Sequence, residues 1–210
     1  MRFLTLMLLA FAASANAADD TPLDRYLAQL KTLRAEFLQT VTDGRGTTVQ
    51  KAEGKFVILR PGKFRWELTP TTHGRSQTPQ LMIADGKNPW FYDRDLEQVS
   101  VKPAATSLTA TPASLLSGQG DIRELFRVSD AGKHDGFDWV LVTPRKPDAD
   151  FREARFAFDH LNLRRMVLKD KLGQTVSLDF TDSERNAPVA DAEVTFTPPA
   201  GADVIGTPAT

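Results

Sequence analysis

FVILRPGKFRWEL, running from Phe56 to Leu68, decides the fold, because its apolar side chains need a surface to lie against. With the two-residue period of a strand, Phe56 and Ile58 point to one side of its first half. Beyond Arg60-Pro61-Gly62, Phe64, Trp66 and Leu68 form one face, and Arg65 and Glu67 form the other. Pro-Gly chemistry suits a tight reversal, so the stretch predicts a β-hairpin with one apolar side. Either the protein's own helices or a ligand must cover that side.

Strand patterns extend outward from this hairpin. Upstream, Glu36 to Thr42 alternates, Asp43-Gly44 turns, and Thr47 to Leu59 is one long strand with a bend at Gly54. Downstream come Gln80 to Ala84, Trp90 to Asp93 and Leu96 to Val101. Later strands are predicted at Phe126 to Ser129, Phe137 to Thr143, Phe151 to Asp159, Leu163 to Lys169, Thr175 to Thr181 and Ala192 to Phe196. Gly, Pro, Asn or Asp flanks each one, and hairpin spacing argues for one antiparallel meander.

Helices are few. Thr21 to Arg34 reads as a helix, with Thr21 as cap, Pro22 at its first position and Asp24 near the positive end of its dipole. Leu23, Tyr26, Leu27, Leu30 and Leu33 recur at helical spacing on one face. Between Thr106 and Leu125 two short helices are predicted, Pro112 to Leu116 and Asp121 to Leu125, separated by Ser117-Gly118-Gln119-Gly120. This segment reads either as a plain connection or as a mobile cover anchored by Leu115, Leu116, Ile122 and Leu125. One good helix and two short ones must therefore cover about eleven strands, a width at which sheets curl, close or split. The pattern leaves open both a self-packed β-sandwich and a curled sheet that encloses space.

Arg2, an apolar stretch over Phe3 to Ala13, and Ala15-Asn16-Ala17 make residues 1–17 an export signal, with cleavage expected near Ala17-Ala18. The apolar stretch is too short to span a bilayer. Residues 18–210 are expected to form a single domain, exported and released, because no linker or repeat divides them. The 26 basic and 27 acidic side chains nearly balance, so no nucleic-acid partner is implied. The chain contains no Cys, which excludes disulfides, thiolate nucleophiles and attachment of lipid to an amino-terminal Cys.

No catalytic spacing emerges: there is no nucleophile elbow, zinc-protease motif, phosphate loop or dinucleotide fingerprint. His73, His134 and His160 sit in polar turns, where solvated rings are expected. Asp148 and Asp150 flank a loop that lacks the Gly and Glu of a calcium site. Neither a metal nor another cofactor is expected.

Four blocks of the sequence resemble one family, the periplasmic outer-membrane lipoprotein carriers of the LolA type. FLQTVTDGRGTTVQKAEGKFVILRPGKFRWEL, Phe37 to Leu68, is similar to that family's amino-terminal block. IADGKNPWFYDRDLEQVSV, Ile83 to Val101, is similar to its D-G-K-x-x-W-x-Y segment. TPASLL, Thr111 to Leu116, resembles the start of its lid, and FTPPAGADVI, Phe196 to Ile205, its carboxy-terminal signature. The resemblance implies a mainly β fold with α: an incomplete, strongly curved antiparallel β-barrel with a short-helix lid over a hydrophobic cavity. It implies a lipid-binding wall of Phe56, Ile58, Phe64, Trp66, Trp90 and Tyr92, a lid containing Pro112, Leu115 and Leu116, and Arg60 as the residue that holds the lid. The implied function is a non-enzymatic, monomeric periplasmic carrier. It would take acylated lipoproteins from an inner-membrane ABC transporter and deliver them to an outer-membrane acceptor lipoprotein of the LolB type. The alternatives are a sensor or acceptor of the same fold that binds lipid at a fixed location, and a secreted hydrolase. Pro89, just before Trp90, and the long Thr71 to Thr78 connection depart from the family pattern.

Overall fold

A computed structural model describes residues 20–72, 74–101, 112–118, 121–146 and 151–209. The expected export signal, His73, and Asp148 and Asp150 lie outside them, as does the side chain of Pro112. The chain begins with α1 (Pro22–Gln29), followed by β1 (Thr32–Thr42), β2 (Thr48–Leu59), β3 (Lys63–Thr72), β4 (Arg75–Ser76), β5 (Gln80–Asp85), β6 (Pro89–Asp93) and β7 (Gln98–Val101). Two short helices come next, α2 (Pro112–Ser117) and α3 (Ile122–Leu125). The chain returns to strands with β8 (Phe126–His134), β9 (Phe137–Pro144), β10 (Phe151–Asp159), β11 (Asn162–Asp170) and β12 (Thr175–Arg185), and ends in β13 (Asp203–Ile205).

Among the described residues, thirteen strands form one sheet in the order β13-β7-β6-β5-β3-β2-β1-β12-β11-β10-β9-β8, with β4 folded back onto β3. Pairing β1 with β12 joins the two halves of the meander, which places β1 in the middle. The edges are β13 and β8, so the sheet is an open, curved barrel. The chain leaves the sheet between β7 and β8, where α2 and α3 lie.

Two sequence expectations change here. The first helix stops at Gln29, and Leu33 and Arg34 belong to β1. Leu33 continues the apolar surface begun by the helix, so helical spacing runs on into a strand. What ends the helix comes from far along the chain. Asn186 donates its Nδ2 to the Gln29 carbonyl at 2.9 Å, and its Oδ1 accepts from the Lys31 amide at 2.8 Å. The capping box at the other end is local and as expected: Asp24 Oδ2 accepts from the Thr21 amide at 2.9 Å.

The second change is in the carboxy-terminal segment. Ala192 to Phe196 is not a strand; a 3-10 turn occupies Asp191–Glu193, and the last strand, β13, pairs parallel with β7. Ion pairs bind this turn to the outside of the barrel. Arg34 meets Glu193 at 2.6 Å, and Lys63 meets Asp191 at 2.9 Å. The two departures from the family pattern are absorbed locally. Pro89 opens β6, where its missing amide costs least, and the long connection forms β4.

The sheet has two apolar faces. The concave face carries the main core, including Phe37, Phe56, Phe156, Phe158 and Met166, with α1 and α2 over it. A smaller cluster, containing Ile83, Trp90, Val99 and Val101, lies on the convex side beneath Phe196. Gly54 serves the concave core by leaving room for a side chain of the neighbouring strand. A Cβ there would overlap the Phe37 ring, which lies across the strand and reaches Trp66 at 4.5 Å between centroids.

Glu193 supplies a pH test of the carboxy-terminal clasp. Hydrogen bonds from Arg34 and from the Ala190 amide bring its pKa down to about 2. A depressed carboxylate stabilises the fold above its ordinary pKa and loses that contribution as pH falls toward the folded value. Urea unfolding of the wild type should therefore lose stability between about pH 5 and about pH 2.5, and Glu193→Gln should lose less over the same interval.

Candidate functional site

The β2–β3 hairpin forms as expected, with Phe56 opposite Trp66 and Ile58 opposite Phe64. Phe56 and Ile58 are fully buried and Phe64 nearly so, while Trp66 is half-buried. The aromatic side chains interlock: Phe56 meets Trp66 at 4.9 Å and Phe64 at 6.3 Å. Leu115 and Leu116 of α2 are buried in the same cluster, at 5% and 0% exposure, so the short helix does cover the hairpin. The Gly62 amide in the hairpin turn donates to the Ser117 carbonyl at 2.9 Å and fixes the end of α2 there.

Trp90 and Tyr92 are not part of this wall. Register decides their side: Trp66 pairs with Met82 and Met82 with Phe91, whereas Trp90 pairs with Ile83, which faces the other way. Trp90 packs on Phe196 at 5.7 Å and donates its Nε1–H to Asp85 at 2.8 Å, and Tyr92 also lies against Phe196, at 6.0 Å. Phe91 is the aromatic that β6 presents to the concave side. Trp90-Phe91-Tyr92 is apolar on both faces, so alternation could not choose between them; only the register counted from Trp66 does. On β9, likewise, Val140 and Val142 face the core, while Trp139 stacks on His134 at 4.9 Å outside it.

Arg60 stands where the helices meet the hairpin. Its Nη1 donates to the Leu27 carbonyl and, at 3.3 Å, to the Leu30 carbonyl, two acceptors at the end of α1. These carbonyls lack intrahelical partners, and α1 carries no basic residue in its last turn. The other side of the guanidinium lies against Gly118, just after α2. A Cβ on Gly118 would collide with Nη2, and the residue's φ of +74° suits glycine. Burial holds the Arg60 pKa below its ordinary value. Beside the guanidinium is a cleft of about 280 Å³, lined among others by Asp24, Leu27, Ala28, Leu115 and Ile122.

A second tie reaches α1 from α3. Arg123 Nη2 meets Asp24 Oδ2 at 2.6 Å, and its Nε reaches Oδ1 at 3.0 Å. Burial would raise the Asp24 pKa, but hydrogen bonds from Arg123 and Thr21 outweigh it and hold the carboxyl below its ordinary value. Asp121 caps α3 by accepting from the Arg123 amide at 2.8 Å. Among the described residues, no group of three or more His, Asp or Glu is arranged to hold a metal ion. No described helix is long and apolar enough to cross a membrane.

The sequence profile of the family described as "Outer membrane lipoprotein carrier protein LolA" matches residues 28–197. The chain belongs to the outer-membrane lipoprotein carrier family. It is 41% identical over 199 residues to an outer-membrane lipoprotein carrier protein of Dechloromonas aromatica, covering 95% of this chain and 92% of that one. It is 37% identical over 194 residues to a protein of the same name from Chromobacterium violaceum, covering 92% and 90%. Among solved structures, an uncharacterized conserved protein of Thermus thermophilus superposes with a TM-score of 0.54 over 88% of this chain and 96% of that one. At 14% identity this likeness concerns the fold alone.

Gly118→Ala tests the closeness of Arg60 to the end of α2. The added methyl must displace the guanidinium, free the Leu27 and Leu30 carbonyls, and strain a backbone with positive φ. Amide exchange at Gly62, which reports the bond to Ser117, should accelerate about tenfold or more, matching a loss of about 1.4 kcal/mol or more in local closure. Exchange in β10 to β12 should stay unchanged.

Proposed function

We propose that this protein carries lipoproteins through the periplasm by holding their acyl chains against the concave face of the sheet, in place of the lid. The supporting observation is the layered arrangement at the β2–β3 hairpin. Phe56, Ile58, Phe64 and Trp66 form an apolar wall, and Leu115 and Leu116 cover it from a helix of only six residues. An acyl chain offers the wall the same apolar contact that these leucines provide, at about 0.8 kcal/mol per buried methylene.

The cargo leaves one membrane and must enter another, so the carrier cannot hold it much more tightly than lipid does. A lid that prefers closure lowers net affinity and drives release. In this reading Arg60 is the residue that sets the preference, because it joins α1 to the turn after α2. We assign loading to an inner-membrane ABC transporter and unloading to an outer-membrane acceptor lipoprotein, with residues 1–17 as a cleaved export signal and no catalytic step. The protein acts as a monomer in this reading.

Arg60→Leu removes donors that serve the closed arrangement, each charge-assisted bond contributing about 1.5–3 kcal/mol. Loading with an acylated peptide should persist or tighten, and transfer from the purified carrier to an acceptor should slow. Arg60→Lys should fall between, since it keeps the charge without the planar fork. Transfer by the Leu variant at the wild-type rate would remove Arg60 from the gating role.

A further inference from the structure

The concave wall does not end at the lid. From Phe56, directly paired positions run strand by strand: Phe56 with Trp66, Trp66 with Met82, Met82 with Phe91, Phe91 with Ser100, and Ser100 with Ile205. Paired residues share a face, so these six side chains form one transverse row on the concave side. The row is covered at one end and open toward the other: Phe56 is 0% exposed, Trp66, Met82 and Ser100 are half-buried, Phe91 is 38% exposed and Ile205 is 50% exposed. The row contains no ionisable side chain, and its one polar member is the small Ser100. On one flank lie Ala84 and Pro89; on the other, Asp93, Gln98 and Asp203 occupy the next concave positions.

We propose that an acyl chain of the cargo lies along this row, one end in the covered core at Phe56 and the other at the β13 edge. The inference rests on the carrier reading above and adds the path that one chain takes. The row crosses five inter-strand steps of about 4.8 Å, so its contour is about 24 Å. One leaflet of a bilayer's hydrocarbon core is about 15 Å deep, so a membrane-derived chain fits along it with length to spare. The apolar row is continuous with the wall at the hairpin, and polar positions fence it on one side. These features match a flexible, uncharged, linear ligand better than a folded protein surface, which would need charged or hydrogen-bonding partners at its rim. Chains can then enter and leave sideways at an open edge of the sheet, with the carboxy-terminal strand as the sill.

The chain has no Cys, so a single introduced thiol can be labelled cleanly. Val204 and Ile205 are adjacent, both partly exposed at 41% and 50%, and face opposite sides, since Val204 pairs with Val99 of the convex cluster. An environment-sensitive fluorophore is placed on Ile205→Cys or on Val204→Cys in the full chain. Each is titrated with a diacylated lipopeptide and with the same peptide lacking its acyl chains. Uptake is followed independently by co-elution in gel filtration. The expected result is a blue shift at position 205 with the lipopeptide alone, and none at position 204. Phe91→Asp should weaken lipopeptide uptake about tenfold, by placing an unpaired charge under the chain, while Phe91→Leu retains it. Uptake with a silent label at 205, equal shifts at both positions, or wild-type uptake by Phe91→Asp would overturn the path while leaving the carrier reading intact. Absence of any lipopeptide uptake by the wild type would overturn both.

Discussion

The guanidinium of Arg60 is the point on which the covered arrangement depends. It satisfies the Leu27 and Leu30 carbonyls at the end of α1, and it fills the space left by the missing side chain of Gly118 beyond α2. It is also covalently the first residue of the turn whose Gly62 amide holds Ser117. The first helix, the end of α2 and the hairpin thus meet at one side chain. Lys would keep the charge but lacks the planar guanidinium whose Nη1 reaches the carbonyls while its other nitrogens lie against Gly118. The partial burial of the charge, which lowers its pKa, is tolerated because the acceptors are carbonyls left over from a helix end.

This arrangement sets one long sheet, as a frame, against a cover of short helices. The frame is a long sheet joined through β1 and β12 and clasped outside by Arg34 with Glu193 and Lys63 with Asp191. Its convex cluster is sealed by Phe196 and by reciprocal bonds between Asn88 and Ala209, at 3.1 and 2.7 Å. The cover is two helices of six and four residues, too short to be stable alone, which lie in place through Leu115, Leu116, Arg60 and Arg123. In the proposed carrier cycle, acyl chains replace Leu115 and Leu116 at the same wall, and the sheet itself need not rearrange.

Much of this was legible in the sequence, and the misses have identifiable physics. The hairpin at Phe56 to Leu68 was readable because strict alternation, Pro-Gly and flanking charges all agreed. A short helix over Pro112 to Leu116 was likewise legible, and its Leu115 and Leu116 are buried. The end of α1 was missed because its caps, Asn186 and Arg60, are remote in sequence, and because Leu33 preserves helical spacing while belonging to a strand. Trp90 and Tyr92 were placed on the wrong side because β6 is apolar on both faces, so only a register counted across β3 and β5 could assign them. Phe91 was overlooked for the same reason. Ala192 to Phe196 has strand-like residues but is held by side-chain ion pairs and an aromatic contact, which alternation does not encode.

The central claim is that acyl chains occupy the concave wall at the hairpin, where Leu115 and Leu116 lie in this structure. A photoreactive amino acid placed at Phe64 or, as a convex control, at Trp90 tests it when the carrier is loaded with an acylated lipoprotein, irradiated and analysed by mass spectrometry. The account predicts adducts on the acyl chains from position 64 and none from position 90. Acyl adducts from position 90 alone, or adducts at position 64 formed only with the polypeptide part of the cargo, would contradict it.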